Sequence, residues 1–138
     1  MKTHEFEFRI YYKDTDASGI AYHANYLVYA ERARSEWFNE VGLPMPMLLE
    51  RGDAFVIAHA EIDYKRPAPL NSVIKIKTVV KQIKPASCLT QQTFWLEDQH
   101  IATVCVEAVS VDTTTLRPKR IAPDIKKIYE EYLEKGEQ

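Results

Sequence analysis

The sequence has few of the features that mark a secreted, disulfide-bonded or membrane-spanning protein. Only two cysteines occur among 138 residues, and no apolar run approaches the ~20 residues that cross a bilayer. The amino terminus also lacks the apolar stretch of a signal peptide. We therefore expect a cytoplasmic protein without an integral membrane segment, in which Cys88 and Cys105 are reduced thiols.

Neither sign of charge dominates the chain. Eighteen basic and 20 acidic side chains leave a formal charge of −2, so the overall field gives no reason to expect binding to nucleic acid. Apolar residues make up 46% of the sequence, and repeats and low-complexity segments are absent. A chain of this length can bury one core but not two, which predicts a single domain over residues 1–138.

The periodicity of apolar residues changes early in the chain. Alternation over residues 6–12 predicts a half-buried strand, and residues 13–21 read as a loop rich in Asp, Ser and Gly. From about Tyr22, apolar residues recur every three or four positions, which predicts an amphipathic helix. Gly42, followed by Pro44, ends that helix.

Four further strands follow in sequence. They are predicted at residues 55–65, 73–83, 88–97 and 101–112, after a short helix at 46–51 and before another around 125–132. This order indicates an α+β fold in which a five-stranded antiparallel sheet wraps around one long helix. Exposed edges of such a sheet favour at least a homodimer, and a strand at 103–111 that is apolar on both faces favours a tetramer.

The loop before the long helix contains the residues best suited to catalysis. Main-chain N–H groups at a helix start have no partners within the helix, so they can stabilise negative charge on a carbonyl oxygen. Asp14 or Asp16, just before that start, could attack the polarised carbon or activate water beside it. The same aspartates also suit an ordinary turn and helix cap, and His23 suits simple packing, so spacing alone leaves both readings open.

The wider pattern resembles a known enzyme family. The core D-x-D-x-x-G-x-x-x-H-x-x-Y is similar to the signature of the 4-hydroxybenzoyl-CoA thioesterase family, and within it to the YbgC-type acyl-CoA thioesterases that many bacteria encode beside Tol–Pal genes. The similarity covers nearly the whole chain in order. It includes residues 14–27 (DTDASGIAYHANYL), 31–34 (ERAR), 62–68 (IDYKRPA), Ser87 and 116–123 (LRPKRIAP).

This resemblance implies a hotdog fold, active sites at a dimer interface, and hydrolysis of an acyl-CoA without a metal or other cofactor. It implies that Asp16 is the nucleophile or general base and that the main-chain N–H of His23 polarises the thioester carbonyl. Gly19 would let the loop pass close to the substrate, and Tyr22 and Tyr26 would line the acyl pocket together with the His23 side chain.

Cations at the pocket rim are expected to meet the phosphates of coenzyme A. The candidates for this contact are Lys65 with Arg66, Lys81 with Lys84, and Arg117 with Lys119 and Arg120. Glu31 lies eight residues beyond His23, ~12 Å along the helix at ~1.5 Å per residue. We therefore expect an ion pair with Arg32, Arg34 or a partner chain for Glu31, and not catalysis.

Two other functions are compatible with the same fold. A hotdog hydratase or dehydratase acts on acyl thioesters, but it typically pairs a catalytic His with an acid in a different motif. A noncatalytic module would bind acyl-CoA or acyl carrier protein, and an Asp16 turned away from the helix start would favour it. The sequence does not define the acyl group.

Overall fold

The computed structural model describes residues 1–134 and contains all the predicted elements. Strand β1 ends at Arg9 and not at Tyr12, because the Asp14 carboxylate accepts the Tyr11 N–H and stabilises a 3-10 turn at Tyr12–Asp14. The elements are β1 (His4–Arg9), α1 (Asn25–Glu40), α2 (Met45–Glu50), β2 (Asp53–Tyr64), β3 (Val73–Ile83), β4 (Ser87–Leu96), β5 (Gln99–Asp112) and α3 (Pro123–Glu131).

The five strands form one antiparallel sheet in the order β1-β3-β4-β5-β2. Both β1 and β2 are therefore edge strands, and β2 carries a bulge between Ile57 and His59. Helix α1 packs on one face of this sheet, which is the predicted hotdog arrangement. The fold thus places the amino terminus of α1 beside the carboxyl end of β2, where Tyr64 reaches the main chain of His23.

Alternating burial fixes the face on which α1 lies. In β3 the side chains of Ile74 and Ile76 are fully buried, and their neighbours are half-buried or exposed. Ala30 and Ala33 on α1 are also fully buried, and their small side chains let the helix approach the sheet closely. Each large apolar side chain buried here contributes roughly 1.5–3 kcal/mol to stability.

The two cysteines lie on opposite faces of the sheet. Cys88 is buried on the helix-facing side, where burial raises the pKa of its thiol to about 12, whereas Cys105 is half-buried on the other side. Both are free thiols, as predicted. The outward residues of β5 are half-buried, so the second apolar face predicted at 103–111 is only partly covered within one chain.

Helix α1 is the longest helix described, with 16 residues. No helix within residues 1–134 has the length and apolar character needed to cross a membrane.

Candidate active site

The loop between β1 and α1 closes on itself through Asp14. The main-chain carbonyl of Asp14 accepts hydrogen bonds from the Tyr22 N–H at 2.9 Å and from the Asn25 side-chain amide at 3.0 Å. Thr15 and Ala21 face each other as an isolated antiparallel bridge. Asp14 is therefore a loop-shaping residue that joins the loop to the first residue of the helix.

Asp16 lies at the tip of this closed loop. The Asp16 carbonyl accepts the Gly19 N–H at 3.1 Å, and Gly19 has φ +79°, a left-handed conformation that favours glycine. The Asp16 carboxylate is exposed and accepts hydrogen bonds from the hydroxyl and the main-chain N–H of Ser18. These two bonds lower the pKa of Asp16, so the carboxylate is charged at neutral pH.

Residues 22–24 form a turn before α1, which begins at Asn25. The Tyr22 carbonyl accepts the Asn25 N–H at 2.9 Å, and the His23 carbonyl accepts the Tyr64 hydroxyl at 2.8 Å. In a trans peptide the C=O and the N–H point in opposite directions. The bonds to the Tyr22 and His23 carbonyls therefore orient the N–H groups of His23 and Ala24, which belong to the same two peptides. Among the hydrogen bonds within residues 1–134, neither N–H donates to another protein group.

A cavity of about 300 Å³ opens beside this turn. Aromatic rings form much of its wall, with Tyr26 packed edge-on against Tyr64 at 5.1 Å between ring centroids. Burial and the neighbouring Tyr64 raise the pKa of Tyr26, which remains neutral. The cavity is lined by Ile20, Ala21, His23, Tyr26, Tyr64, Lys65, Arg66 and Pro67.

The structure brings most of the predicted site residues into one region. His23, Tyr26 and Arg66 line the cavity itself. Asp16, Gly19 and Tyr22 lie in the adjoining loop; the Tyr22 and His23 rings are 4.5 Å apart.

Lys84 is not brought to this region within one chain. It follows the far end of β3 and forms an ion pair with Glu107 at 3.2 Å. The Glu31 carboxylate accepts the Ser35 hydroxyl, and within residues 1–134 it makes no ion pair within 4 Å. The expected pair with Arg32 or Arg34 therefore does not form within one chain, and a pair with a partner chain stays a prediction. Within the same range, no group of three His, Cys, Asp or Glu side chains could hold a metal ion.

Lys65, named with Arg66 as a candidate for the phosphates, lines the cavity, but sequence reasoning did not identify Tyr64 or Asn25 as functional residues. Tyr64 belongs to the matched run at 62–68, which was the available signal. Asn25 lies within the matched run at 14–27 as well, but its role depends on a side-chain bond to Asp14 that only the folded loop shows.

Comparisons with known proteins show the family of this chain. The family model described as Thioesterase-like superfamily matches residues 11–128. The acyl-CoA thioesterase YbgC of Haemophilus influenzae is 34% identical over 122 residues, which cover 88% of this chain and 90% of that protein. The acyl-CoA thioester hydrolase YbgC of Escherichia coli O157:H7 is 31% identical over 124 residues, covering 86% and 92%.

A solved structure supports the same assignment. The probable thioesterase from Bartonella henselae superposes with a TM-score of 0.82 at 32% identity, covering 88% of this chain and 100% of that chain. The predicted fold and the resemblance to YbgC-type thioesterases are both confirmed by these matches. On this evidence the chain belongs to the thioesterase-like superfamily.

Proposed function

We propose that this protein hydrolyses acyl-CoA thioesters to a free carboxylic acid and coenzyme A. The observation that carries the proposal is the pair of oriented, unengaged N–H groups at His23 and Ala24, next to a loop that presents an ionised Asp16. Donors of this kind stabilise the oxyanion that forms when a thioester carbonyl is attacked. The YbgC relatives are acyl-CoA thioesterases, which agrees with this chemistry.

The reaction starts with the thioester carbonyl oxygen on the His23 and Ala24 N–H groups. Asp16 then either attacks the carbonyl carbon or removes a proton from a water molecule that attacks it. The carbon–sulfur bond breaks as the oxyanion collapses, and coenzyme A leaves as a thiolate, whose conjugate acid has a pKa near ~8.5. In the first route a mixed anhydride forms on Asp16, and water hydrolyses it to the acid.

The neighbouring residues suit the two ends of the substrate. Tyr22, Tyr26 and the His23 ring offer an aromatic surface for the acyl group, and Gly19 keeps the loop free of a side chain at its turn. Lys65 and Arg66 line the cavity, and within residues 1–134 neither pairs with a carboxylate. They are the cations that we assign to the phosphates of coenzyme A; Lys84 lies too far away in the same chain.

The first test is thiol release from short, long and aromatic acyl-CoAs by the native protein and by Asp16→Asn. Loss of turnover in the variant with substrate binding retained supports the proposal. Asp98→Asn is the matched control, because Asp98 is an exposed carboxylate in the β4–β5 turn, and it should leave turnover unchanged. An Asp16→Asn variant as active as the native enzyme would remove Asp16 from the mechanism.

A single-turnover experiment separates the two routes. With enzyme in excess and water enriched in the heavy oxygen isotope, attack of water on the Asp16 carbon of a mixed anhydride breaks its bond to the bridging oxygen and leaves label in the Asp16 carboxylate. Mass spectrometry of the peptide containing residues 14–27 detects this label. A labelled peptide assigns Asp16 as the nucleophile, because a general base does not acquire oxygen from the water that it activates.

One observation favours the noncatalytic alternative. Asp16 is engaged by Ser18 in an ordinary turn and does not line the cavity that His23 and Tyr26 share. A protein that binds acyl-CoA or acyl carrier protein without turnover would show this arrangement permanently. Saturable binding of acyl-CoA with no thiol release from any member of the panel would establish that alternative.

A further inference from the structure

A buried tyrosine lies beside the loop that joins β1 to α1. Tyr29, on α1, is 2% exposed and belongs to the core cluster that also contains Ile10 and Ala21. Its ring packs against Phe8 of β1 at 4.5 Å and against Tyr26 at 6.0 Å between ring centroids. Because the ring is held by both neighbours, the position of its hydroxyl is well defined.

The Tyr29 hydroxyl has no hydrogen-bond partner. It is buried, and within residues 1–134 no group bonds to it with normal hydrogen-bond geometry. Burial is the main cause that raises the pKa of Tyr29, and the nearby Asp14 carboxylate raises it further, so the hydroxyl stays protonated and can donate. Leaving a buried donor unpaired costs free energy, and most buried hydroxyls in folded proteins are paired. This unpaired hydroxyl therefore needs an explanation.

Asp14 provides a matching acceptor. The Oδ2 atom of its carboxylate accepts the Tyr11 N–H at 2.8 Å, and Oδ1 accepts no hydrogen bond from residues 1–134. Asn25 links Asp14 to the helix, because its side-chain amide donates to the Asp14 carbonyl. Tyr29 lies four residues beyond Asn25, on the same face of α1. An unused donor and an unused acceptor therefore lie near each other at the base of the loop.

The proposed chemistry requires a change in the loop above this pair. The Asp16 carboxylate bonds to Ser18 and does not line the cavity beside His23, where the thioester carbonyl would be bound. Asp14 belongs to the base of the same loop, because its carbonyl accepts the Tyr22 N–H. A loop movement that brings Asp16 to the thioester therefore also moves the Asp14 carboxylate relative to the buried hydroxyl.

We propose that Tyr29 is a positioning residue, whose hydroxyl donates to the Asp14 carboxylate when the loop brings Asp16 to the substrate. A hydrogen bond to a charged acceptor is stronger than one between neutral groups, so this bond favours the catalytic position of the loop. Because the hydroxyl is unpaired in the unliganded chain, the bond does not stabilise the starting position. The inference rests on the proposed hydrolysis and adds a residue to it.

Tyr29→Phe tests the proposal directly, because it keeps the ring contacts with Phe8 and Tyr26 and removes only the hydroxyl. We expect kcat for thiol release to fall about tenfold and KM to change less than about twofold. The midpoint of urea unfolding should stay the same or rise, since the variant loses an unpaired buried hydroxyl. Tyr132→Phe is the matched control, because Tyr132 is also buried but packs against Trp37, and it should keep the native kcat.

A double variant tests whether Tyr29 acts through Asp14. Asp14→Asn keeps the main-chain bonds of that residue and removes the negative charge. It should lower kcat by itself, and Tyr29→Phe added to it should cause no further loss. Two losses that multiply would show that Tyr29 acts independently of Asp14, and the proposal would be wrong.

Hydrogen exchange tests the loop without turnover. The probes are dethia analogues of the same short, long and aromatic acyl-CoAs, in which a methylene group replaces the thioester sulfur and prevents hydrolysis. Binding should slow the exchange of amides in residues 13–21 of the native protein, and this protection should be at least about threefold smaller in Tyr29→Phe.

A Tyr29→Phe variant with the native kcat, or with the native protection of residues 13–21, would overturn the proposal. A native protein that releases no thiol from any acyl-CoA would instead refute the proposed hydrolysis. In that case the exchange measurement would still decide whether Tyr29 holds the loop in the liganded protein.

Discussion

Ser18 controls the ionisation of the residue on which the proposed chemistry depends. Its hydroxyl and its main-chain N–H both donate to Asp16 and lower the pKa of that carboxyl. Ser18→Ala removes the hydroxyl bond, so the Asp16 pKa should rise toward its ordinary value. Because the charged carboxylate is the active form, the acid limb of the pH–rate profile should move to higher pH. Measuring kcat/KM against pH for both proteins checks this, and an unmoved limb would contradict it.

Tyr64 orients the peptide that carries the Ala24 N–H, through its bond to the His23 carbonyl. Tyr64→Phe keeps the aromatic contact with Tyr26 but releases this peptide. We expect kcat to fall about tenfold, with KM changed less than about twofold, since the interaction acts on the transition state. Tyr12→Phe is the control, because Tyr12 is 84% exposed. A Tyr64→Phe enzyme with normal kcat would show that this bond is only structural.

These residues also show how far sequence reasoning reaches. Asp16 and His23 could be selected because the loop signature places them within a few residues of each other. Tyr64 belongs to the matched run at 62–68, but its contact with His23, 41 residues away, could not be predicted because only the sheet register brings the two residues together. Arg34 was considered as part of the ERAR run and as an ion-pair partner of Glu31, but its inward direction could not be predicted because it depends on the buried Gln92 of β4.

At the level of elements, the hydrophobic pattern predicts the strands and helices well. It does not predict the residue at which β1 ends or the residue at which α1 begins. Strand β1 ends early at the turn stabilised by the Asp14 carboxylate. Helix α1 begins at Asn25 because the Asp14 carbonyl accepts the Tyr22 N–H and the Tyr64 hydroxyl donates to the His23 carbonyl. Periodicity does not encode these local bonds.

An ionic network joins α2, β2 and α3. Arg51 pairs with Asp53 at 2.6 Å and with Asp124 at 2.8 Å, and Lys119 pairs with Asp53 at 2.7 Å. Burial would raise the pKa of Asp53, but Lys119 and Arg51 outweigh it and lower the pKa. Because Asp53 is 3% exposed, Arg51→Met should cost roughly 1–3 kcal/mol of unfolding free energy.

The pH dependence of that loss has a definite sign. Arg51 lowers the pKa of Asp124, and Lys119 and Arg51 together lower the pKa of Asp53. The stabilisation is therefore present above the ordinary carboxylate pKa and disappears as the pH falls through the lowered values. Urea unfolding at neutral and acid pH should show the native protein and Arg51→Met converging on acidification. Lys126→Met, on an exposed cation of α3, should match the native protein throughout.

At the scale of the whole molecule, one sheet edge is left with apolar side chains in solvent. Val56 and Ile57 on edge strand β2, and Leu27 and Val28 on α1, are between 42% and 47% exposed. An open edge with apolar neighbours is a surface on which strands of two chains can pair. Such pairing would give the expected homodimer; the homodimer, the tetramer and the single-domain extent over residues 1–138 all stay predictions.

Val56→Lys tests the dimer and its link to the active site together. Val56 does not line the cavity beside His23, so a lysine there places charge on the open edge without entering that cavity. If two copies pair along β2, the variant should sediment as a monomer, and thiol release should fall because the family resemblance places active sites between subunits. Leu116→Lys adds the same charge at a residue that is 66% exposed outside β2, and it should preserve both assembly and turnover. A native protein that sediments as a fully active monomer would show instead that one chain completes the site alone, and that the apolar edge serves another purpose.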